Sequence, residues 1–229
     1  MSDAERIYVV QQFSQQAVRK RFLKKVYGIL AVQLAATAGL AVSIRSTPAL
    51  LRLIFRLQPL LLMMAFVTIV WLHASERARK QAPLNGLLLS VFTLAQGSLV
   101  ALATMRFPAE IVLRAAGATA LATTSLSAYA LQTKRDFTPY GGMLFAGTMG
   151  LLGLLLMQAF FGGSWLYVGH SYFAVLLFCG YIVYNTQLMM GGGKARQLRP
   201  DEHVMAAVSL YTDIINLFLY LMRSMDDRQ

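Results

Sequence analysis

Residues 209–222 read SLYTDIINLFLYLM, an apolar stretch with one carboxylate, Asp213, near its middle. At about 1.5 Å per residue, a helix from His203 to Met222 leaves Asp213 roughly 13–15 Å from either end, the middle of a hydrocarbon core roughly 30 Å thick. Placing that carboxylate in lipid costs at least ~2.5 kcal/mol, so it has to face protein or water. The stretch therefore predicts a membrane helix that lies inside a bundle of other helices.

The polar side chains of this helix share one face, because Ser209, Asp213, Asn216 and Tyr220 follow at intervals of 4, 3 and 4 residues. One interpretation is structural: the stripe only forms hydrogen bonds to neighbouring helices. The other is an ion or proton path, which an intramembrane acid favours.

The composition is that of a polytopic membrane protein with one domain. The chain has 229 residues, of which 57% are hydrophobic and 14% are charged, against about 25% charged in soluble domains. The net charge of +11 comes from Lys and Arg scattered in short loops between apolar runs, which indicates membrane topology and argues against a nucleic-acid partner.

Apolar runs predict an all-α fold with seven transmembrane helices, the C-terminal one central. Before the helix that begins near His203, six spans are predicted at residues 26–44, 57–73, 84–105, 110–131, 140–161 and 168–190. A basic arm (1–25), with the spacing of a helix lying at the interface, precedes this domain (26–222), and a short polar tail (223–229) follows it. The late first run indicates no cleaved signal peptide.

The distribution of basic residues predicts the orientation. Fourteen of the 21 Lys and Arg residues lie in segments on the N-terminal side of the membrane, which places the N-terminus in the cytosol. Seven spans put the C-terminus opposite, unless the last helix is re-entrant. Pro200 predicts the start of that helix, with Asp201 and Glu202 in its first turn.

Small or hydroxyl side chains recur at every fourth position on three predicted helices, which predicts close helix packing and, for hydroxyls, interhelical hydrogen bonds. These faces are Ala31, Ala35 and Gly39; Thr119, Thr123 and Ser127; and Gly142, Ala146 and Gly150.

The sequence argues against an enzyme and against a bound cofactor. Gly191-Gly192-Gly193-Lys194 lacks the spacing of a phosphate loop and is interpreted as a flexible turn. Ser164 and His170 lack a nucleophile elbow. The three histidines form no ligand pair, and the single cysteine, Cys179, excludes an intrachain disulfide and a cysteine-based metal site.

Asn185 is the second candidate residue. Residues 185 and 213 are equidistant from residue 199, where the chain breaks before Pro200, so a hairpin there would place Asn185 and Asp213 at similar depth. Asn185 could equally serve only to join helices. Asp136, by contrast, is expected in a solvated loop.

Several stretches together resemble the transmembrane Bax inhibitor motif family, and within it the Lifeguard branch. They are VRKRFLKKVYGILAVQL (18–34), LNGLLLSVFTLAQG (84–97), LQTKRDFTPYGGMLF (131–145), YNTQLMMGG (184–192) and SLYTDIINLFLYLMR (209–223). The resemblance implies a seven-helix fold with the last helix wrapped by two layers of three. It also implies calcium leak across the endoplasmic reticulum or Golgi membrane, or the inner membrane in a bacterium, and suppression of cell death.

In the resembled family, two aspartates on helices six and seven pair to sense pH and close the pore. Asp213 matches the second of these, whereas Asn185 stands where the first is commonly Asp. Two neighbouring carboxylates share a proton, but an amide beside a carboxylate does not repel its charge. The resemblance thus implies a closing contact that does not depend on a carboxylate pair, with Asp213 as a possible calcium contact. The rival interpretation is a membrane adaptor that acts on apoptosis through membrane protein partners without conducting ions.

Overall fold

The computed structural model describes residues 3–162, 164–190, 198–199 and 201–226, with side chains described from residue 17 onward except at 164 and 165. The helices are α1 (Asp3–Ser46), α2 (Pro48–Ala74), α3 (Glu76–Lys80), α4 (Leu84–Thr104), α5 (Ala109–Gln132), α6 (Gly141–Phe161), α7 (Ser164–Met190) and α8 (His203–Ser224), with a 3₁₀ turn at Thr138–Tyr140. These described residues contain no β-strand.

Seven helices within the described chain are long and apolar enough to cross a membrane, which confirms the predicted fold class. They are the later part of α1, from Ala17, and α2, α4, α5, α6, α7 and α8, with residues from Thr138 included in the α6 span. The helix α2 begins nine residues before the predicted 57. Pro48 suits a first helical turn, and Arg52 and Arg56 lower the hydropathy of the turns that follow.

The helix α8 is the centre of the bundle. Within an apolar stretch of 18 residues of this helix, 61% of the residues are buried, whereas the corresponding share is at most 44% in the other six spans. It packs against α1 and α4 on one side and against α5 and α7 on the other. The helices α1, α2 and α4 pack on one another, while α5 and α6 each pack on α7, so two groups of three helices surround α8.

The buried face of α1 differs from the predicted one. Phe22, Val26, Leu30, Gln33 and Thr37 are buried, at intervals of 4, 4, 3 and 4 residues. The small residues at 31, 35 and 39 are exposed instead, so the prediction that they pack closely within the bundle is wrong. The spacing showed which residues share a helix face, but not whether that face points into the bundle or away from it.

The same correction applies to α6. Gly142 and Gly150 are exposed, and a Cβ atom at either would meet nothing within 4 Å. The close approaches are made by Gly147, where a Cβ would lie 2.7 Å from Cδ1 of Leu177 on α7, and by Gly141, where a Cβ would lie 2.6 Å from the hydroxyl oxygen of Tyr184. The glycines that the packing requires therefore lie outside the predicted stripe of Gly142, Ala146 and Gly150.

The helix α8 begins at His203, so the prediction that Asp201 and Glu202 lie in its first turn is wrong. Both lie before the helix, where Asp201 pairs with Lys80 at 3.5 Å and Glu202 with Arg79 at 3.9 Å. These ion pairs join the entry of α8 to α3. The Gly191-Gly192-Gly193-Lys194 turn and Pro200 lie outside the described residues.

The basic arm is continuous with the first span. The helix α1 passes through residue 25 without a break, and Phe22 of the arm is buried in the core. The side chain of Arg19 also donates a hydrogen bond to the backbone carbonyl of Met190 at the end of α7. The location of residues 1–25 at a cytosolic membrane surface stays a prediction.

Candidate functional site

The structure joins Asp213 to Asn185 across the interface of α7 and α8. The side-chain nitrogen Nδ2 of Asn185 donates a hydrogen bond to Oδ2 of Asp213 at 2.6 Å. Asp213 is only 6% exposed and lies near the middle of its span. The equal distance of the two residues from residue 199 predicted this proximity. A carboxylate in an apolar bundle needs such a donor, because burial without one is costly.

The other members of the polar stripe have different surroundings. Ser209 and Asn216, about one turn to either side of Asp213, are half-buried. Tyr220 lies in an aromatic cluster, with ring centroids 5.4 Å from His170 and 5.9 Å from Phe178. The guanidinium of Arg223 sits 5.5 Å above the Tyr220 ring. The polar stripe of α8 therefore ends at Tyr220, which is packed among aromatic rings.

A second polar contact holds α8 on its opposite side. The hydroxyl of Tyr211 lies 2.7 Å from Oγ1 of Thr37 on α1, and its ring packs edge-on against Phe92 of α4 at 6.0 Å. Tyr211 is fully buried. Sequence reasoning missed this contact because Tyr211 lies outside the polar stripe of α8 and was not considered. The signal was on α1, where Gln33 and Thr37 interrupt an apolar run at a spacing of four.

The contact of α1 with α4 beside Tyr211 depends on a glycine. A Cβ at Gly97 would lie 3.2 Å from Oγ1 of Thr37 and 3.1 Å from Cδ1 of Leu40. One turn away, Gln33 donates a hydrogen bond to Oγ1 of Thr93 at 2.9 Å. The Thr37–Tyr211 contact therefore forms between helices that approach closely.

Gln187, two residues beyond Asn185, anchors the loop between α5 and α6. Its fully buried side chain donates to the carbonyl of Arg135 at 2.9 Å and accepts from the backbone N–H of Phe137 at 2.7 Å. The loop lies against the same end of α7 that carries Asn185. Sequence reasoning did not single out Gln187, although a polar residue beside Asn185 in an apolar helix was a usable signal.

Asp136 is a capping residue in this loop. Its Oδ1 accepts hydrogen bonds from the backbone N–H of Thr138 at 3.0 Å and from the Thr138 hydroxyl at 2.8 Å. The residue lies in a loop, as expected, but it is half-buried, so its side chain is only partly solvated. It supports the turn that begins α6.

The hydroxyls of α5 do not make the predicted interhelical hydrogen bonds. Thr119 donates to the carbonyl of Ala115 in its own helix at 2.7 Å. Within the described chain, the buried hydroxyl oxygens of Thr123 and Ser127 have no hydrogen-bond partner. A repeat of hydroxyls at every fourth position marked a buried face here without specifying its partners.

Asp213 is not part of an acidic cluster. Across the residues that the structure describes, no group of three or more His, Cys, Asp and Glu side chains could hold a metal ion. The site offers one carboxylate and the amide that contacts it. It can hold α7 and α8 together while the hydrogen bond is made, and it can present an anionic oxygen ligand when the bond is broken.

Known proteins resemble this chain over most of its length. Residues 19–229 match the sequence family described as "Inhibitor of apoptosis-promoting Bax1". "Protein lifeguard 4" from Mus musculus is 35% identical over 209 residues, covering 91% of this chain and 86% of the relative. "Golgi anti-apoptotic protein" from Vaccinia virus (strain Lister) is 35% identical over 211 residues, with the same coverage of 91% and 86%. "BI1-like protein" from Arabidopsis thaliana is 30% identical over 221 residues, with coverage of 95% and 84%.

Proposed function

Because the chain belongs to the family of inhibitors of apoptosis-promoting Bax1, we propose that it mediates or regulates calcium leak across an intracellular membrane and suppresses cell death. It is an integral membrane protein, and the described residues include seven helices able to span a bilayer. The relative named for the Golgi and for an anti-apoptotic action supports the second half of the proposal and favours the Golgi membrane, with the endoplasmic reticulum as the other membrane that we propose. In this proposal the chain is not an enzyme and uses no cofactor.

The observation that carries the proposal is the buried contact between Asp213 and Asn185. Burying a carboxylate costs free energy even when it is paired, and an apolar residue of similar size would pack α8 with less penalty. An intramembrane acid that carries this cost is by default a candidate functional site, and an ion path is one such site. Calcium prefers oxygen ligands, and the Asp213 carboxylate supplies an anionic one in the middle of the bundle.

The hydrogen bond from Asn185 gives this path a closed state. While the amide holds Oδ2 of Asp213 at 2.6 Å, the C-terminal part of α7 is joined to the middle of α8. Breaking the bond releases the carboxylate to a passing cation. Ser209 and Asn216 would line the same path within a turn of Asp213, and Tyr220 would bound it at the far end.

The amide also gives the gate a distinctive pH behaviour. A pair of carboxylates has to share a proton to stay in contact, and it separates when that proton is lost. The Asn185 amide donates to an ionised carboxylate without any shared proton. We therefore expect the closing contact to persist at pH values that would separate two aspartates.

Calcium flux through purified protein tests the proposal. The full chain is reconstituted in liposomes that contain a fluorescent calcium indicator, beside protein-free liposomes and the variant Asp213→Asn. We expect flux through the natural protein and a large reduction for Asp213→Asn, because the variant keeps an amide oxygen but loses the charge.

Asp136→Asn is the matched control, since Asn retains the capping oxygen that Thr138 binds. Its flux should equal that of the natural protein. If both variants lose flux equally, Asp213 is not the central site of the path. If natural protein and protein-free liposomes give the same signal, the leak proposal fails. The adaptor interpretation, which requires protein partners and no ion conduction, then becomes the better one.

A further inference from the structure

A lateral groove separates α1 from α5 and reaches the central helix. Both helices pack on α8, but in the described part of the chain they form no packed interface with each other. The groove has a volume of about 320 Å³. Its rim carries the exposed side chains of Val42 and Leu113, and its floor is made by Val100 of α4 and by Ile214 and Ile215 of α8.

The side chains that line the groove do not require a polar ligand. Three threonines contribute to it, and each hydroxyl already has a partner. Thr37 bonds to Tyr211, Thr104 donates to the carbonyl of Ala101, and Thr119 donates to that of Ala115. The remaining lining residues are Ala, Val, Leu, Ile and Phe, so the groove selects a hydrocarbon.

The depth of the groove matches one leaflet of a bilayer. On α1 it extends from Leu34 to Val42, which is about 12 Å at 1.5 Å per residue. Half of a hydrocarbon core roughly 30 Å thick is about 15 Å. The lining residues lie in the C-terminal half of α1 and the N-terminal half of α5, so the groove runs from the middle of the bundle toward one surface. Water is excluded at this depth, and lipid chains are the hydrocarbon available to fill it.

We propose that this groove binds the acyl chain of a bilayer lipid from the leaflet near the C-terminal end of α1. The chain passes between Val42 and Leu113 and packs on Ile214, Ile215 and Phe218 of α8. Two of these residues directly follow Asp213 in sequence, so the lipid contacts the central helix beside its buried carboxylate. The inference rests on the fold and does not depend on calcium leak.

Photo-crosslinking tests this binding site. The full-length protein is reconstituted in liposomes with a phospholipid that carries a diazirine in the middle of an acyl chain, and the adducts are mapped by mass spectrometry. Ile214 and Ile215 are each 4% exposed, so they can react only with a chain inside the groove. We expect adducts within residues 214–218, beside those on the lipid-facing surfaces of α2 and α6.

Filling the groove provides the matched comparison. The double variant Ala38→Phe/Ala116→Phe places two rings among the lining residues and should reduce the α8 adducts at least several-fold, with the surface adducts unchanged. Ala35→Phe, on an exposed position of α1 that does not line the groove, should leave both sets unchanged.

Natural protein without α8 adducts, while α2 and α6 are labelled, overturns the proposal. Equal α8 labelling in the filled variant also overturns it. Diluting the protein in lipid separates copies of the chain from one another. If α8 is labelled only after such dilution, a second copy of the chain occupies the groove in undiluted protein, and the proposal is wrong. If the filled variant does not fold, the labelling of the natural protein alone decides.

Discussion

Two polar contacts hold the central helix from opposite sides, and they differ in chemistry. Toward α1, the Tyr211 hydroxyl meets Oγ1 of Thr37 at 2.7 Å, a bond between neutral groups. Toward α7, Oδ2 of Asp213 accepts from Asn185 at 2.6 Å, a bond to a group that can carry charge. The two α8 residues are only two positions apart, and both are buried.

The difference separates what the fold requires from what a conducting site would require. A neutral hydroxyl pair is sufficient to fix a buried helix at mid-span, and such a pair is present on the α1 side. A carboxylate in the equivalent place on the α7 side adds a desolvation cost without improving the packing. We therefore expect changes at the Tyr211 contact to alter stability and changes at the Asp213 contact to alter ion flux.

The largest effect is expected for Tyr211→Ala. Removing this fully buried ring should lower the free energy of unfolding by about 3–5 kcal/mol, the range for a large aromatic replaced by alanine in a core. Denaturant unfolding in detergent micelles measures it. Tyr211→Phe keeps the ring and should cost about 1 kcal/mol for the lost hydrogen bond. Equal losses for the two variants would show that the ring does not pack as described.

Asn185→Ala should produce the next largest effect, and on flux. Hydrogen bonds to charged groups contribute about 1.5–3 kcal/mol, so losing this one should shift the closed–open equilibrium toward open by roughly ten- to a hundredfold. Calcium entry into liposomes should rise accordingly, whereas Thr37→Val, at the neutral contact, should leave it nearly unchanged. A larger change for Thr37→Val than for Asn185→Ala would reverse the assignment of roles.

Asn185→Asp should make flux depend on pH. With two carboxylates at this contact, a shared proton holds them together at low pH, and its loss leaves two negative charges that repel. Flux should therefore rise with pH, by at most about tenfold per pH unit because one proton is exchanged. The natural protein should have a flatter profile over the same pH range in the same liposomes. Superimposable profiles would refute a gate at this contact.

Gln187→Leu should loosen the α5–α6 loop, and its effect should be smaller than those of the preceding variants. The variant leaves the carbonyl of Arg135 and the N–H of Phe137 without their side-chain partner, which costs about 1–3 kcal/mol. Local opening of that size speeds trypsin cleavage after Lys134 or Arg135 by about tenfold. Gln187→Glu, which can still accept from Phe137, should lie between the two. Unchanged cleavage in both variants would mean that Gln187 does not anchor the loop.

The smallest effect is expected for Glu110→Gln. Its pair with Arg114 lies at 2.5 Å, but both side chains are largely exposed, at 72% and 66%. Exposed pairs at this helical spacing contribute about 0.5 kcal/mol or less. The free energy of unfolding and the calcium flux should match those of the natural protein, and a clear loss of either would show that charge removal alone disturbs the bundle.

The architecture could be predicted from the sequence because burial of backbone and charge in a membrane allows few solutions. Apolar runs of span length identified seven helices, and the carboxylate at the middle of the last run required that helix to lie inside the others. The Asn185–Asp213 pairing followed from hairpin geometry, since both residues lie equally far from the break at 199. The start of α2 was missed because Arg52 and Arg56 reduced its hydropathy.

Helix faces were harder to predict than helices. The stripe of Ala31, Ala35 and Gly39 and the packed face with Gln33 and Thr37 have the same periodicity, and periodicity does not state which one faces protein. In lipid, apolar residues are suited to both environments, so the usual contrast between an apolar core and a polar surface is lost. Polar residues within apolar runs, such as Gln33, Thr37 and Gln187, would have been the better guide to the interior, because the structure buries them.

A double-mutant cycle on calcium flux tests the gate most directly. Asn185→Ala, Asp213→Ala and the double variant are compared with the natural protein in the same liposomes. If Asn185 acts by holding the Asp213 carboxylate, Asn185→Ala should raise flux only while Asp213 is present, and the double variant should match Asp213→Ala, a coupling on the order of tenfold or more. If the two single effects simply multiply in the double variant, the two residues act independently and the contact is not the gate.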